Sequence, residues 1–192
     1  ERKEVRDALA YLRLTHALAD DLAFERIINV PKRGIGEASV KTIRELARMH
    51  NISAYEATKR ALDDGMFKGK VHSALRGFTD LIASWQEARD WQTDQLMERI
   101  LEESGYLLML KEDKNKDEAK ARLDNLKELV RSMQEYADIS AYLEHIALVT
   151  DADADENTDA VRMMTVHGAK GLEFNTVFLP GFEEGLFPHQ RS

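Results

Sequence analysis

Apolar residues recur at three- and four-residue spacing along most of the chain, the rhythm of amphipathic helices. A first helix is predicted from about Lys3 to Ala19, with Val5, Ala8, Leu9, Leu12 and Ala19 near one face. A second runs through Phe24, Ile27 and Ile28 and is ended by Val30-Pro31, because the residue before a proline is pushed out of the helical region. After Gly36 a third helix carries Val40, Ile43, Leu46 and Ala47. Ser53 followed three residues later by Glu56 reads as a capping box opening a fourth. Long amphipathic stretches come next at roughly 70–91, 93–104 and 116–137, the last with Leu126, Leu129, Val130, Met133 and Ala137 along one stripe. The charged run at 111–118 faces solvent.

The rhythm changes near the C-terminus. From Asp151 to Asp159 the chain holds five acids, no base and no apolar residue larger than alanine, which predicts a mobile linker. Beyond it Val161, Met163, Met164 and Val166, then Thr176 to Leu179, read as two buried strands around a glycine-bearing loop. Two strands cannot make a stable sheet alone, so the pair calls for partners that a helical chain does not supply. The sequence therefore reads as cut from something larger.

Composition narrows the class. With 192 residues, 43% of them hydrophobic, the chain can bury a proper core. It has no cysteine, which excludes disulfides and thiolate metal sites. No run approaches the roughly 18 apolar residues of a membrane span, and no signal peptide opens the chain, so a cytoplasmic address is expected. The net charge of −8 opposes polyanions at long range. Screening confines exposed charges to about 8 Å at physiological salt, however, so a local basic patch can still bind phosphate. The six histidines show no metal-binding spacing, and no metal site is expected. Phe78, Trp85, Trp91 and Tyr106 stand at helical spacing among leucines and are assigned to packing rather than to base stacking.

Two motifs carry candidate chemistry. In MTVHGAKGLEF at 164–174 a strand ends at Thr165 and releases His167, Gly168, Lys170 and Gly171 into a tight turn before Glu173. Glycines allow close backbone approach, Thr165 and His167 offer hydrogen bonds, Lys170 a positive charge, and Glu173 an acceptor for a sugar hydroxyl. On the residues alone this is a nucleotide or nucleic-acid site. The second motif is Pro31-Lys32-Arg33-Gly34-Ile35-Gly36, between two predicted helices. Its glycines permit a tight turn, Ile35 can plug the core, and the next helix turns its N-terminal amides outward, an arrangement suited to anions. From Arg26 to His50 six basic residues stand against two acids, a local excess of four positive charges in an acidic protein. Lys32, Arg33, Gly34, Ile35 and Gly36, with Ser39 and Lys41, are the candidate phosphate contacts.

The first string resembles motif V of superfamily-one helicases of the UvrD/PcrA/Rep type, and GFEEGLFPHQ at 181–190 matches the segment just downstream of that motif in the family. ERKEVRDALAYLRL at 1–14 resembles the segment downstream of motif IV, and DDLAFERIINVPKRGIG at 20–36 the opening of the 2B subdomain. RLDNLKEL at 122–129 is again similar, while residues from about 50 to 120 match mainly in helical character. Gly168 stands where many relatives carry serine, which removes one hydroxyl from the loop.

The resemblance implies a mainly α fold with a helix-hairpin-helix-like element and a short β pair from a truncated RecA-like α/β domain. It divides the chain into an N-terminal strip of the RecA-like 2A domain at 1–20, a helical 2B domain at 21–158, and a return strip of 2A at 159–192. It implies that Thr165, His167 and Gly168 meet single-stranded DNA, that Lys170, Gly171 and Glu173 serve the nucleotide, and that the Lys32–Lys41 region meets duplex. The parent would be a 3′–5′ DNA helicase of repair or replication, using ATP and magnesium, with the 2B arm regulating the motor.

Phosphoryl transfer needs a GxxxxGK[ST] loop, an acidic magnesium ligand and an arginine at the transition state. Neither the Walker A and Walker B elements nor motif VI occurs in these residues, so the chain alone is expected to be inactive, to bind no cofactor and to carry no catalytic residue. Its expected partners are DNA, the remaining helicase domains, and repair or transcription proteins; a monomer without membrane association is expected. Two other readings stay open on sequence alone: a helical protein-interaction module, and part of a RecB- or AddA-like helicase-nuclease.

Overall fold

The computed structural model describes residues 2–88, 90–154, 163, 164, 169 and 173–179, with the side chains of 149–154 left aside. The described residues form helices and connecting turns, and none of them is in a strand. The order is α1 (Lys3–His16), α2 (Asp21–Ile27), α3 (Glu37–His50), α4 (Ala54–Asp63), α5 (Gly69–Glu87), α6 (Thr93–Glu103), α7 (Tyr106–Lys111), α8 (Lys116–Met133) and α9 (Ile139–Ala154). Two compact units are distinguished, Glu1–Asp153 and Ala154–Ser192.

Caps set most of the boundaries. Asp20 accepts from the Ala23 amide at 2.9 Å and opens α2, so α1 stops at His16 rather than running on to Ala19 as its apolar pattern predicts. The capping box at Ser53 and Glu56 forms as expected. Asn115 caps α8 by accepting from the Glu118 amide, and α8 ends at Met133, four residues short of its predicted end. Two elements escape the sequence reading. α7 begins after Gly105, whose φ of +79° turns the chain directly from α6 into it. α9 extends through Asp151–Ala154, so the acidic stretch expected to begin a linker is helical for its first four residues.

The core of the first unit is built on α1, which buries Ala8, Leu9, Ala10, Tyr11, Leu12 and Leu14 and packs against α2, α5, α6 and α8. α3 packs chiefly on α4, and α7 and α6 on α8. Phe78, Trp85 and Tyr106 lie in this core as assigned. Trp91 does not: it is 49% exposed, because it sits in a turn beyond the end of α5 and leaves the apolar face. The Arg99 guanidinium covers its ring at 5.2 Å from the centroid. Of the expected strand pair, residues 176–179 are irregular and exposed, and the rest of the pair, apart from the exposed Met163 and Met164, lies outside the described residues.

Candidate nucleic-acid interface

The loop between α2 and α3 is the site that the described residues allow to be built atom by atom. α2 carries Phe24 and Ile27 into the core and ends at Ile28, after which the chain passes through a cis Val30–Pro31 bond. Gly34 has a φ of +76°, a left-handed conformation in which a side chain would be strained. This turn sends Ile35 into the core, where it is 2% exposed, and leaves Gly34 and Gly36 at the surface. Gly36 then caps α3 with extended backbone, its carbonyl accepting from the Ser39 amide at 3.0 Å. The first amides of an α-helix have no partner within it, and the N-terminal end carries a partial positive charge. The start of α3 therefore presents donors to an anion.

The basic residues of this region divide into two groups. Arg26 is drawn to the buried carboxylate of Asp7 at 2.7 Å. Arg44 holds Glu25 through two hydrogen bonds of 2.8 and 3.0 Å; this contact, with the charge behind it, keeps the Glu25 carboxyl below its ordinary value. Arg33 is half-buried, and its guanidinium faces inward: Nη1 donates to the carbonyls of Ile27 (2.9 Å), Ile28 (3.2 Å) and Pro31 (3.3 Å), and Nη2 to the Tyr11 hydroxyl at 2.6 Å. Lys32, Lys41 and Arg48 are exposed. Only Lys41 among them has an ion pair among the described residues, a loose one with Glu45 at 3.8 Å. Surface pairs of that kind hold a lysine weakly and are readily exchanged for a phosphate.

Lys32 also lines a cleft of about 210 Å³ with Lys3, Arg122 and the buried carboxylates of Glu4 and Asp7. Those acids are already satisfied. Asn125 donates to Glu4 at 2.6 Å, while Tyr106 (2.8 Å) and Arg26 serve Asp7. Sequence reasoning missed this buried polar set, although a signal existed: Glu4, Asp7 and Tyr11 recur at i, i+3 and i+7, one line along a helix, apart from the line of exposed Arg6 and Arg13.

The second candidate site is mostly out of view. Thr165, His167, Gly168, Lys170 and Gly171 lie outside the described residues, and Glu173 is exposed. Among the described residues no cluster of histidines and acids could hold a metal ion, and no helix is long and apolar enough to cross a membrane.

The first unit is thus a helical body with a tight basic turn at its surface. Comparison with known proteins gives the chain a family. The family model described as UvrD-like helicase C-terminal domain matches residues 1–192, and the chain belongs to that family. It is 46% identical to a protein named DNA helicase II from Rickettsia typhi, and 38% identical to DNA helicase II of Escherichia coli. It is 37% identical to a protein named ATP-dependent DNA helicase PcrA from Staphylococcus aureus. All of this chain is covered in each case, but only 30%, 28% and 27% of those relatives, so it spans less than a third of their length.

Proposed function

We propose that this chain is the duplex-contacting 2B arm, with adjoining strips of the 2A domain, of an ATP-dependent 3′–5′ DNA helicase. The observation that carries the reading is the α2–α3 turn. Exposed Lys32, the backbone of Gly34 and Gly36, and Ser39 and Lys41 in the opening turns of α3 lie within one short segment beside the helix N-terminus. Such a surface grips phosphate without reading bases, which suits a motor that must pass over any sequence. The names of the relatives support DNA as the polymer.

In this reading residues 1–20 and 159–192 belong to 2A, and the expected strand pair forms only against the rest of that domain. Thr165, His167 and Gly168 serve the single strand, and Lys170, Gly171 and Glu173 the nucleotide. ATP and magnesium act in the parent, where the missing phosphate loop, magnesium ligand and transition-state arginine reside. The purified chain is expected to hydrolyse no ATP with or without DNA, an outcome that a coupled phosphate-release assay reads directly.

Fluorescence anisotropy with labelled duplex, single-stranded and junction DNA across a salt series tests the arm itself. Duplex or junction binding should weaken steeply with salt, and the double variant Lys32→Glu with Lys41→Glu should bind more weakly and with a flatter salt dependence, since every phosphate that goes unneutralised takes about 0.9 from the log–log salt slope. Unchanged binding in that variant, or none in the native chain at low salt, would instead favour a helical module for protein partners.

A further inference from the structure

We infer that Arg33 and Tyr11 act as positioning residues for duplex binding: they lock the α2–α3 turn from beneath, and Arg33 itself does not touch phosphate. The inference rests on the proposed role of that turn. Arg33 sits in a segment whose neighbours are exposed, yet its guanidinium is directed into the protein interior. None of its acceptors is a carboxylate: Nη1 meets three carbonyls, two of them at the C-terminal end of α2, where a cation is favoured by the helix dipole. Its second nitrogen donates to the Tyr11 hydroxyl and reaches the Ser104 carbonyl at 3.4 Å. The Tyr11 hydroxyl in turn donates to the carbonyl of Val30, at the entry to the same turn. The guanidinium also lies over the Phe78 ring, 5.2 Å from its centroid.

One cation therefore closes a loop of contacts around Val30, Pro31 and the end of α2. The Arg33 amide is fixed as well, donating to Asn29 Oδ1 at 2.7 Å. Tyr11 is anchored from the far side by Trp85, edge-on at 5.9 Å, whose indole donates to Glu103 at 2.7 Å. Every acceptor is placed for a planar fork of donors. An ammonium, with three donors at one point, does not reproduce the two-nitrogen fork with which the guanidinium meets the Ile27 carbonyl and the Tyr11 hydroxyl.

The two possible roles of Arg33 respond oppositely to conservative change. A phosphate contact largely survives Arg33→Lys and ignores Tyr11→Phe. A positioning residue fails with Arg33→Lys, and Tyr11→Phe, which keeps the ring and removes only the hydroxyl, must fail with it. In the full 192-residue chain, we expect each substitution to weaken duplex binding roughly tenfold and the double variant to be no worse than either single one. Amide exchange supplies a readout independent of DNA. In both variants the bonded amides of Val30 and Arg33 should exchange faster while those of α8 keep their native protection, whereas a general loss of stability would raise both.

Native turn exchange in Tyr11→Phe overturns the inference, as does native affinity in both variants. If the native chain binds no duplex, the proposed function fails for this chain and the exchange measurement still decides whether Tyr11 and Arg33 order the turn.

Discussion

Tyr106 shows how a single buried hydroxyl ties the protein's stability to pH. Burial, then the hydrogen bond donated to Asp7 and the negative charges of Asp7 and Glu4, push its phenol far above the ordinary value of 10.0. The folded state thus favours the protonated form. That stabilisation is complete below the unfolded value and declines as pH rises past about 10, where the unfolded chain begins to ionise and the folded one does not. Tyr106→Phe should cost about 1 to 2 kcal/mol at pH 8, because Asp7 loses a donor and keeps only Arg26. Urea midpoints at about pH 8 and about pH 10.5 check this: the gap between native and variant should narrow at the higher pH, and a constant gap would show that the phenol does not titrate with folding. Glu103 works in the other direction. Burial opposes its ionisation, but hydrogen bonds from Arg99 and the Trp85 indole prevail and hold its carboxyl below the ordinary 4.5. Its contribution is present above that value and disappears as pH falls below it. The Asp7–Tyr106 and Trp85–Glu103 pairings were not legible from residue types, since they join separate helices, whereas Arg99 stands four residues before Glu103 on α6.

At the scale of elements, the sequence spoke most clearly where the local chemistry is self-contained. The capping box at Ser53 and Glu56 needs only four consecutive residues, and it appears as read. The Gly34 turn likewise arises from local chain geometry, with Ile35 buried and φ at +76°. α7 was not legible because six residues make too short a window for periodicity, and α9 because its acidic end mimics a linker. Arg33 shows the same limit at the site: charge and neighbours mark it for the surface, while the acceptors that draw it inward come from α1 and α2. A comparison of two substitutions separates scaffold from site. Ser53→Ala removes one cap and should cost about 1 kcal/mol in thermal or urea unfolding without changing duplex affinity. Gly34→Ala meets no steric clash, but strains the left-handed backbone by roughly 1 kcal/mol. It should therefore lower stability by a similar amount and weaken duplex binding as well, because the strain falls on the proposed phosphate-facing segment. Equal binding in the two variants would remove the turn from the interface.

The whole molecule raises a question about α1 that the family resemblance and the packing answer differently in emphasis. By resemblance the first twenty residues are a strip of the 2A domain, yet in the structure α1 belongs to the compact unit Glu1–Asp153 and lies at the centre of its core. It supplies Tyr11, Leu12 and Leu14, all fully buried, and both buried carboxylates, Glu4 and Asp7. Removing it would expose the facing surfaces of α2, α5, α6 and α8 together and leave Arg26 and Tyr106 without their acid. Losing even one large core side chain typically costs about 2 to 5 kcal/mol, against a total stability of roughly 5 to 15. A chain lacking residues 1–16 should therefore show no cooperative thermal transition, with near-ultraviolet circular dichroism lost. A chain ending at Ala154 should keep the native transition, since the first unit is compact without residues 155–192. If the chain without α1 melts cooperatively, the helix is a passenger on a body that folds without it, as a domain boundary near residue 20 requires. If it does not, α1 is part of the fold itself, and no boundary at residue 20 divides the first unit.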